Sequence, residues 1–148
     1  MVNFIGEYSA KIDDKGRIIL PSAFKSLLPA DDMRFVVRKD IFDDCLEMLT
    51  FSEWEKRSEQ IKSRLNFLKK EHASFWREFM RGNTVVTPDN KLGRISIPKK
   101  LLDAIGAEKE VIFAGNDHKI ELWAREKYES SAIPEEEFVS LAEKVSNL

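Results

Sequence analysis

The chain has 148 residues, a single cysteine and a net charge of −2. That length suits one ordinary domain or two small ones, and 43% hydrophobic with 10% aromatic residues excludes a disordered chain. With Cys45 alone there is no intramolecular disulfide, and no run reaches 18 apolar residues, so the expectation is a reducing, cytoplasmic setting without a membrane span. The first residues carry neither a basic segment nor a long apolar one, which argues against a secretory signal.

Phe4 to Ile12 alternates apolar and polar residues as a half-buried strand does. Asp13-Asp14-Lys15-Gly16 then reads as a turn in which Gly16 takes a positive φ, and Arg17–Leu20 as the returning strand. Pro21 fits the first turn of a short helix over Ser22–Leu28. Phe35-Val36-Val37 and Leu46-Glu47-Met48-Leu49 read as two further strands, joined by residues 40–44. Ser52 to Met80 contains neither Gly nor Pro; Ser52 and Glu55 have capping-box spacing. Ile61, Leu65, Leu68, His72, Phe75 and Phe79 recur at alternating steps of four and three, forming one apolar stripe on a long helix or helical pair. That stripe either packs on the protein's own sheet or forms an oligomer contact. The order then repeats. Thr84–Val86 is a strand, Pro88–Gly93 a turn, Arg94–Ile97 a strand, and Pro98–Ile105 a helix closed by Gly106. Val111–Phe113 and Ile120–Trp123 are strands around Gly115–His118, and behind Pro134 a short amphipathic helix carries Phe138, Leu141, Ala142 and Val145.

The second half thus restates the first. Gly16-Arg17-Ile18 and Pro21 return as Gly93-Arg94-Ile95 and Pro98, 77 residues on, while the late elements align at an offset of 74. A self-match of this kind fixes the architecture. Each half has about 75 residues, near the lower limit for a self-sufficient core, so two units sharing one core is the expected arrangement. The fold class is α+β and rich in β. The divisions are a first repeat over 1–55, a helical connection over 56–80, a second repeat over 81–125 and an acidic helical tail over 126–148.

No catalytic or metal constellation accompanies this order. Cys45, His72 and His118 lack ligand spacing, and no phosphate-binding glycine loop or nucleophile elbow is present. Cys45 and His72 read as packed structural residues and His118 as an exposed turn residue. Adjacent Asp13 and Asp14 point apart at a turn and serve turn formation rather than acid–base chemistry. The duplicated feature is a cation at a tight turn. Arginine offers a planar fork of donors suited to phosphate or guanine edges, and Lys15 and Lys91 add point charges for phosphates. The tail over 126–148 holds six glutamates against two lysines, so both turns are positive spots in an acidic chain. The plain alternative is that Arg17 only pairs with Asp13; at 77 residues' offset that aspartate becomes Asn90, yet Arg94 remains. This difference favours ligand contact. The site residues are therefore Lys15, Arg17, Lys91 and Arg94, supported by the turn residues Asp13, Gly16, Asn90 and Gly93. No cofactor is expected. A few phosphate contacts bind weakly at physiological salt, so an acidic protein needs to multiply them by oligomerisation.

The chain resembles the MraZ family of AbrB-like swapped-hairpin transcription regulators. The likeness rests on Phe4-Ile5-Gly6-Glu7-Tyr8, on Asp13-Asp14-Lys15-Gly16-Arg17-Ile18-Ile19-Leu20-Pro21, and on Gly93-Arg94-Ile95-Ser96-Ile97-Pro98. The family's Asp-x-x-x-Arg motif is matched by Asp13 and Arg17; in the second half Arg94 matches, with Asn90 at the aspartate position and Asp89 one residue early. The resemblance implies two hairpin units intertwined around one β-barrel-like core, with attached helices and assembly into a ring of subunits. It implies sequence-specific binding of double-stranded DNA at short direct repeats in the promoter of the division and cell-wall gene cluster. It further implies that the protein's own gene lies in that cluster, that the action is mainly repression, and that the protein associates with the nucleoid. The competing reading from another class is an oligomeric scaffold that binds protein partners without touching DNA.

Overall fold

The structure is a computed structural model and describes residues 2–148. The first repeat contains β1 (Glu7–Lys11), β2 (Arg17–Ile19), α1 (Ser22–Lys25), β3 (Phe35–Lys39), β4 (Leu46–Thr50) and α2 (Phe51–Lys62). After α3 (Lys70–Met80) the second repeat contains β5 (Thr84–Val86), β6 (Arg94–Ser96), α4 (Lys99–Ala104), β7 (Glu110–Asn116), β8 (Lys119–Ala124) and α5 (Arg125–Ser130), and α6 (Glu135–Ser146) closes the chain. The expected order of strand, strand, helix, strand, strand, helix holds in both halves.

The halves exchange their first hairpins. The six-stranded sheet runs β1-β7-β8-β4-β3-β5, so β1 of the first repeat pairs with β7 of the second and β5 of the second pairs with β3 of the first. The strands that follow them, β2 and β6, pair with each other as a separate two-stranded ribbon. Every pairing is antiparallel. The ribbon is therefore connected by one turn to each edge strand of the sheet and joins the two edges through the chain.

This exchange gives both halves one core. Ile18 and Ile95 from the ribbon, Phe35, Met48 and Leu46 from the first repeat, and Val111, Phe113 and Leu122 from the second are all essentially inaccessible. Phe4 enters the same core against Phe24, edge to face at 5.5 Å, and beside Phe35 at 6.3 Å. Removing so much apolar surface from water, at about 25 cal/mol per Å², is open to two intertwined units and not to either half alone. Where the offset changes is now visible. Val86 stands where Ala10 does, 76 residues apart, and Val111 where Phe35 does, again 76, while Thr50 and Ala124 are 74 apart. The offset of 77 belongs to the stretch from the glycine of each turn through the following proline into the helix behind it, where Phe24 and Lys25 N–H donate to Pro21 O as Leu101 and Leu102 N–H donate to Pro98 O.

Three local expectations are corrected. The cap of α2 is Thr50, whose hydroxyl accepts from the Glu53 N–H at 3.3 Å, and not Ser52, which bonds Asp32 instead. The stretch 52–80 is the helical pair rather than the single long helix, but its stripe is interrupted. Asn66 breaks the helix: its side chain accepts from the Leu68 N–H at 3.0 Å, and its own N–H donates to His72 Nδ1 at 2.9 Å. Asparagine offers the backbone a local alternative to the helical ladder. Leu68 is left exposed, His72 ties down the loop rather than filling the core, and of the stripe only Phe79 is buried. Finally, α1 is shorter than Ser22–Leu28, ending at Lys25, although Leu28 is still buried.

A cluster of charge within the sheet is the main feature that period-two patterning missed. Glu47 is 2% exposed and receives Arg57 Nη1 at 2.7 Å and Lys119 Nζ at 3.2 Å, with Arg38 Nε at 3.8 Å. Arg38 also donates to the Phe79 carbonyl at 2.6 Å and lies over the Phe79 ring at 4.2 Å, which fastens the end of α3 to β3. Burial pulls Arg38 below its ordinary pKa. Burial acts the same way on Lys119, but Glu47 and then Asp40 outweigh it and hold its ammonium above the usual value.

Candidate nucleic-acid interface

Each turn is built around one aspartate. In the first, Asp13 and Arg17 close the backbone, Asp13 N–H to Arg17 O at 3.0 Å. Asp13 Oδ1 accepts from the N–H groups of Lys15 at 2.9 Å and Arg17 at 2.8 Å, and Oδ2 accepts from Arg17 Nε at 2.8 Å. Gly16 sits at φ 77°, a left-handed conformation that glycine adopts without a Cβ clash. In the second, Asp89 N–H donates to Arg94 O at 3.0 Å. Asp89 Oδ1 accepts from Leu92 and Gly93 N–H, each at 2.9 Å, and Oδ2 from Arg94 Nε at 2.7 Å, with Gly93 at φ 74°. These donors favour the ionised carboxylates. The Arg17 backbone N–H, foremost, lowers Asp13 below its ordinary value; the Arg94 side chain followed by the Leu92 N–H holds Asp89 far below it.

The second turn is therefore one residue longer than the first, and its aspartate is Asp89. Asn90 is an exposed turn residue. The inference drawn from an uncharged partner for Arg94 is thereby overturned: both arginines have the same carboxylate partner in the same geometry. What separates ligand presentation from simple pairing is how the guanidinium is held. In both copies the aspartate engages Nε, with no bond from Nη1 or Nη2 among the described residues. The outer edge of each fork is thus free to meet an acceptor. Each pair is about one-third exposed, a setting in which an ion pair adds little stability but fixes a direction.

The ribbon brings both arginines to one face. Arg17 opposes Ser96, Ile18 opposes Ile95, and Ile19 opposes Arg94. Alternation then places Ile18 and Ile95 inward, both buried, and Arg17, Ile19, Arg94 and Ser96 outward. Two further bonds extend the pairing symmetrically, Leu20 N–H to Gly93 O at 2.9 Å and Ile97 N–H to Gly16 O at 3.2 Å. Lys15 and Lys91 stand exposed in the turns at opposite ends, and neither meets a carboxylate within ion-pair distance among the described residues. The four predicted contact residues thus share one outward-facing ribbon and its two ends. Sequence reading gave the aspartate position to Asn90, with Asp89 noted only as one residue early, and passed over Lys25, which reaches from α1 across the second turn to donate to the Asp89 carbonyl at 3.3 Å. At an offset of 77, Lys25 corresponds to Leu102, so it looked like an ordinary helix position.

The remaining reactive side chains lie elsewhere. Cys45 is buried just before β4, where burial first, and then Glu121, pushes its thiol pKa up. His118 is exposed at the β7–β8 turn. Among the described residues no three His, Cys, Asp or Glu side chains converge to hold a metal ion, and no helix is long and apolar enough to cross a membrane.

Exchanged hairpins around one core, with a paired Asp–Arg turn in each repeat, define a duplicated swapped-hairpin protein whose conspicuous surface is a cationic β-ribbon. Two successive matches to the family described as "MraZ protein, putative antitoxin-like", over residues 3–78 and 79–145, agree with that duplication, and the chain belongs to the MraZ family. Similar proteins include those of Bacteroides thetaiotaomicron, 38% identical over 148 residues covering 99% of this chain and 94% of that protein, and Christiangramia forsetii, 37% identical over 147 residues with 98% and 94% covered. A third, from Cytophaga hutchinsonii, is 36% identical over 142 residues with 95% and 93% covered. Each bears the name "Transcriptional regulator MraZ". Membership places this chain among transcriptional regulators rather than enzymes.

Proposed function

We propose that this protein is a sequence-specific regulator that binds double-stranded DNA through the outer face of the β2–β6 ribbon. The observation that carries the reading is the ribbon register, which sets Arg17 and Arg94 on one face, each held by Nε with its outer donors free. The major groove of B-DNA admits a two-stranded ribbon, and arginine can grip guanine O6 and N7 with two donors. Lys15 and Lys91 at the turns are suited to the flanking phosphates. The net charge of −2 keeps a single copy's affinity low. A ring-shaped homo-oligomer that meets several direct repeats at once would supply the missing affinity by avidity. Family resemblance alone supports the finer statements: repression, chiefly, of the division and cell-wall gene cluster with autoregulation, in the cytoplasm on the nucleoid. The test is the double variant Arg17→Ala with Arg94→Ala, assayed by gel shift on promoter DNA and by circular dichroism. Loss of binding with an intact spectrum is expected; unchanged affinity in the folded variant would sink the proposal.

One observation favours the scaffold alternative. Helix α6 leaves Phe138, Val139, Leu141 and Val145 exposed on a helix without a buried residue. Pull-down from nuclease-treated lysate separates the readings: a protein partner retained without nucleic acid, together with arginine variants of unaltered function, favours the scaffold.

A further inference from the structure

The two ends of the ribbon are related by the internal repeat, but their surroundings are not equivalent in charge. The groove beside the second turn is formed by β1, α1 and residues 91–92, and its charged lining is Lys11, Lys25 and Lys91, with no carboxylate. Beside the first turn a groove is lined by Lys15 and Lys99 against Asp14, Asp103 and Glu108, together with Asp13, which is engaged by Arg17 as Asp89 is by Arg94. Lys99 is moreover occupied, with Nζ 3.2 Å from both carboxylate oxygens of Asp103. Lys25 meets only a backbone carbonyl, and among the described residues no carboxylate lies within ion-pair distance of it. Its stem packs 3.2 Å from where a Cβ on Gly93 would stand, so the cation is held against the turn that carries Arg94. Asp89, the nearest carboxylate in that turn, is engaged by Arg94.

We infer that Lys25, with Lys11 and Lys91, forms a DNA-phosphate site beside the second turn that has no counterpart beside the first, and that this inequality sets the direction in which the ribbon lies on DNA. The inference rests on the DNA-binding reading above and deepens it. Two identical ends would read a site equally well in either direction. One end with an added cationic groove, and the other with a net acidic one, favours a single orientation, because phosphates are attracted to the first and repelled by the second. The free energy involved is electrostatic, so it is read in the salt dependence of binding.

The test measures affinity for promoter DNA across a salt series with the full chain, using Lys25→Gln, Lys25→Arg, Lys99→Gln and the double variant Arg17→Ala with Arg94→Ala, each checked by thermal unfolding. Lys25→Gln is expected to weaken binding about three- to tenfold at low salt and to make the log–log salt slope shallower by about 0.9, the loss of one phosphate contact. Lys25→Arg keeps the charge and should keep the affinity, and Lys99→Gln should bind as the parent does. Equal losses for the Gln and Arg variants, an equal loss for Lys99→Gln, or no loss for Lys25→Gln while the double arginine variant fails to bind would each overturn the inference and leave the DNA-binding reading standing. Undiminished binding by the folded double arginine variant would overturn that reading and the inference with it.

Discussion

Replacing the turn glycines by alanine probes how strictly the sequence holds the two arginines. Gly16 and Gly93 have φ of 77° and 74°. An L-residue held there places Cβ against its own carbonyl, at roughly 1–2 kcal/mol. The surroundings then separate the two positions. A Cβ at Gly16 would stand 3.2 Å from the Ile97 carbonyl oxygen, backbone fixed by the ribbon, whereas at Gly93 it would stand 3.2 Å from Lys25 Cδ, part of a flexible side chain. Gly93→Ala should therefore cost about 1–2 kcal/mol and Gly16→Ala about 1 kcal/mol more. In a chain of this size each kcal/mol lowers the melting temperature by about 2–4 °C. Thermal unfolding followed by circular dichroism should place Gly93→Ala about 2–8 °C below the parent and Gly16→Ala lower still, with DNA affinity reduced in the same order. Asparagine, which tolerates the left-handed region better than alanine, should recover part of each loss. A Gly16→Ala protein that melts at or above Gly93→Ala would refute the argument from neighbouring atoms, and a rise in melting temperature for either would refute the requirement for positive φ.

Two further outcomes test the scaffold beneath the ribbon. Glu47→Ala leaves Arg38 and Lys119 buried without their shared partner and should cost about 3–5 kcal/mol, measured by urea unfolding; a loss under about 1 kcal/mol would mean that the cluster is hydrated. Tyr128, whose pKa is pushed up to about 12 by the neighbouring Glu7 carboxylate first and burial second, should ionise later in the folded than in the unfolded protein. Its contribution is complete below the unfolded value of about 10 and is lost as pH rises towards 12, so phenolate absorbance should show a late step that Glu7→Gln brings forward.

The duplicated turns were legible because glycine, arginine and proline each have a backbone or charge requirement that local sequence displays. The strands Arg17–Leu20 and Arg94–Ile97 were legible too, but which of their residues face inward came from the ribbon pairing. Alternation does not report partners: nothing in Glu7–Lys11 says that it pairs with β7 and not with its own repeat, and the exchange followed from family resemblance. Asp89 was noted as one residue early but its role went to Asn90, because a fixed offset fails at a single inserted residue. The helical pair was one of two readings, and the position of the break at Asn66 escaped because no glycine or proline marks it. Glu47 and Arg38 escaped because a charged residue in a strand is ordinarily assigned to solvent, and only the fold shows three cations converging on one buried carboxylate.

The most direct test of the account is the salt dependence of DNA binding for the parent, Arg17→Ala, Arg94→Ala and the double variant. The account predicts a steep log–log slope for the parent, weaker binding with reduced sequence preference for each single variant, and loss of binding in the double. Superimposable slopes and affinities across all four folded proteins would contradict it.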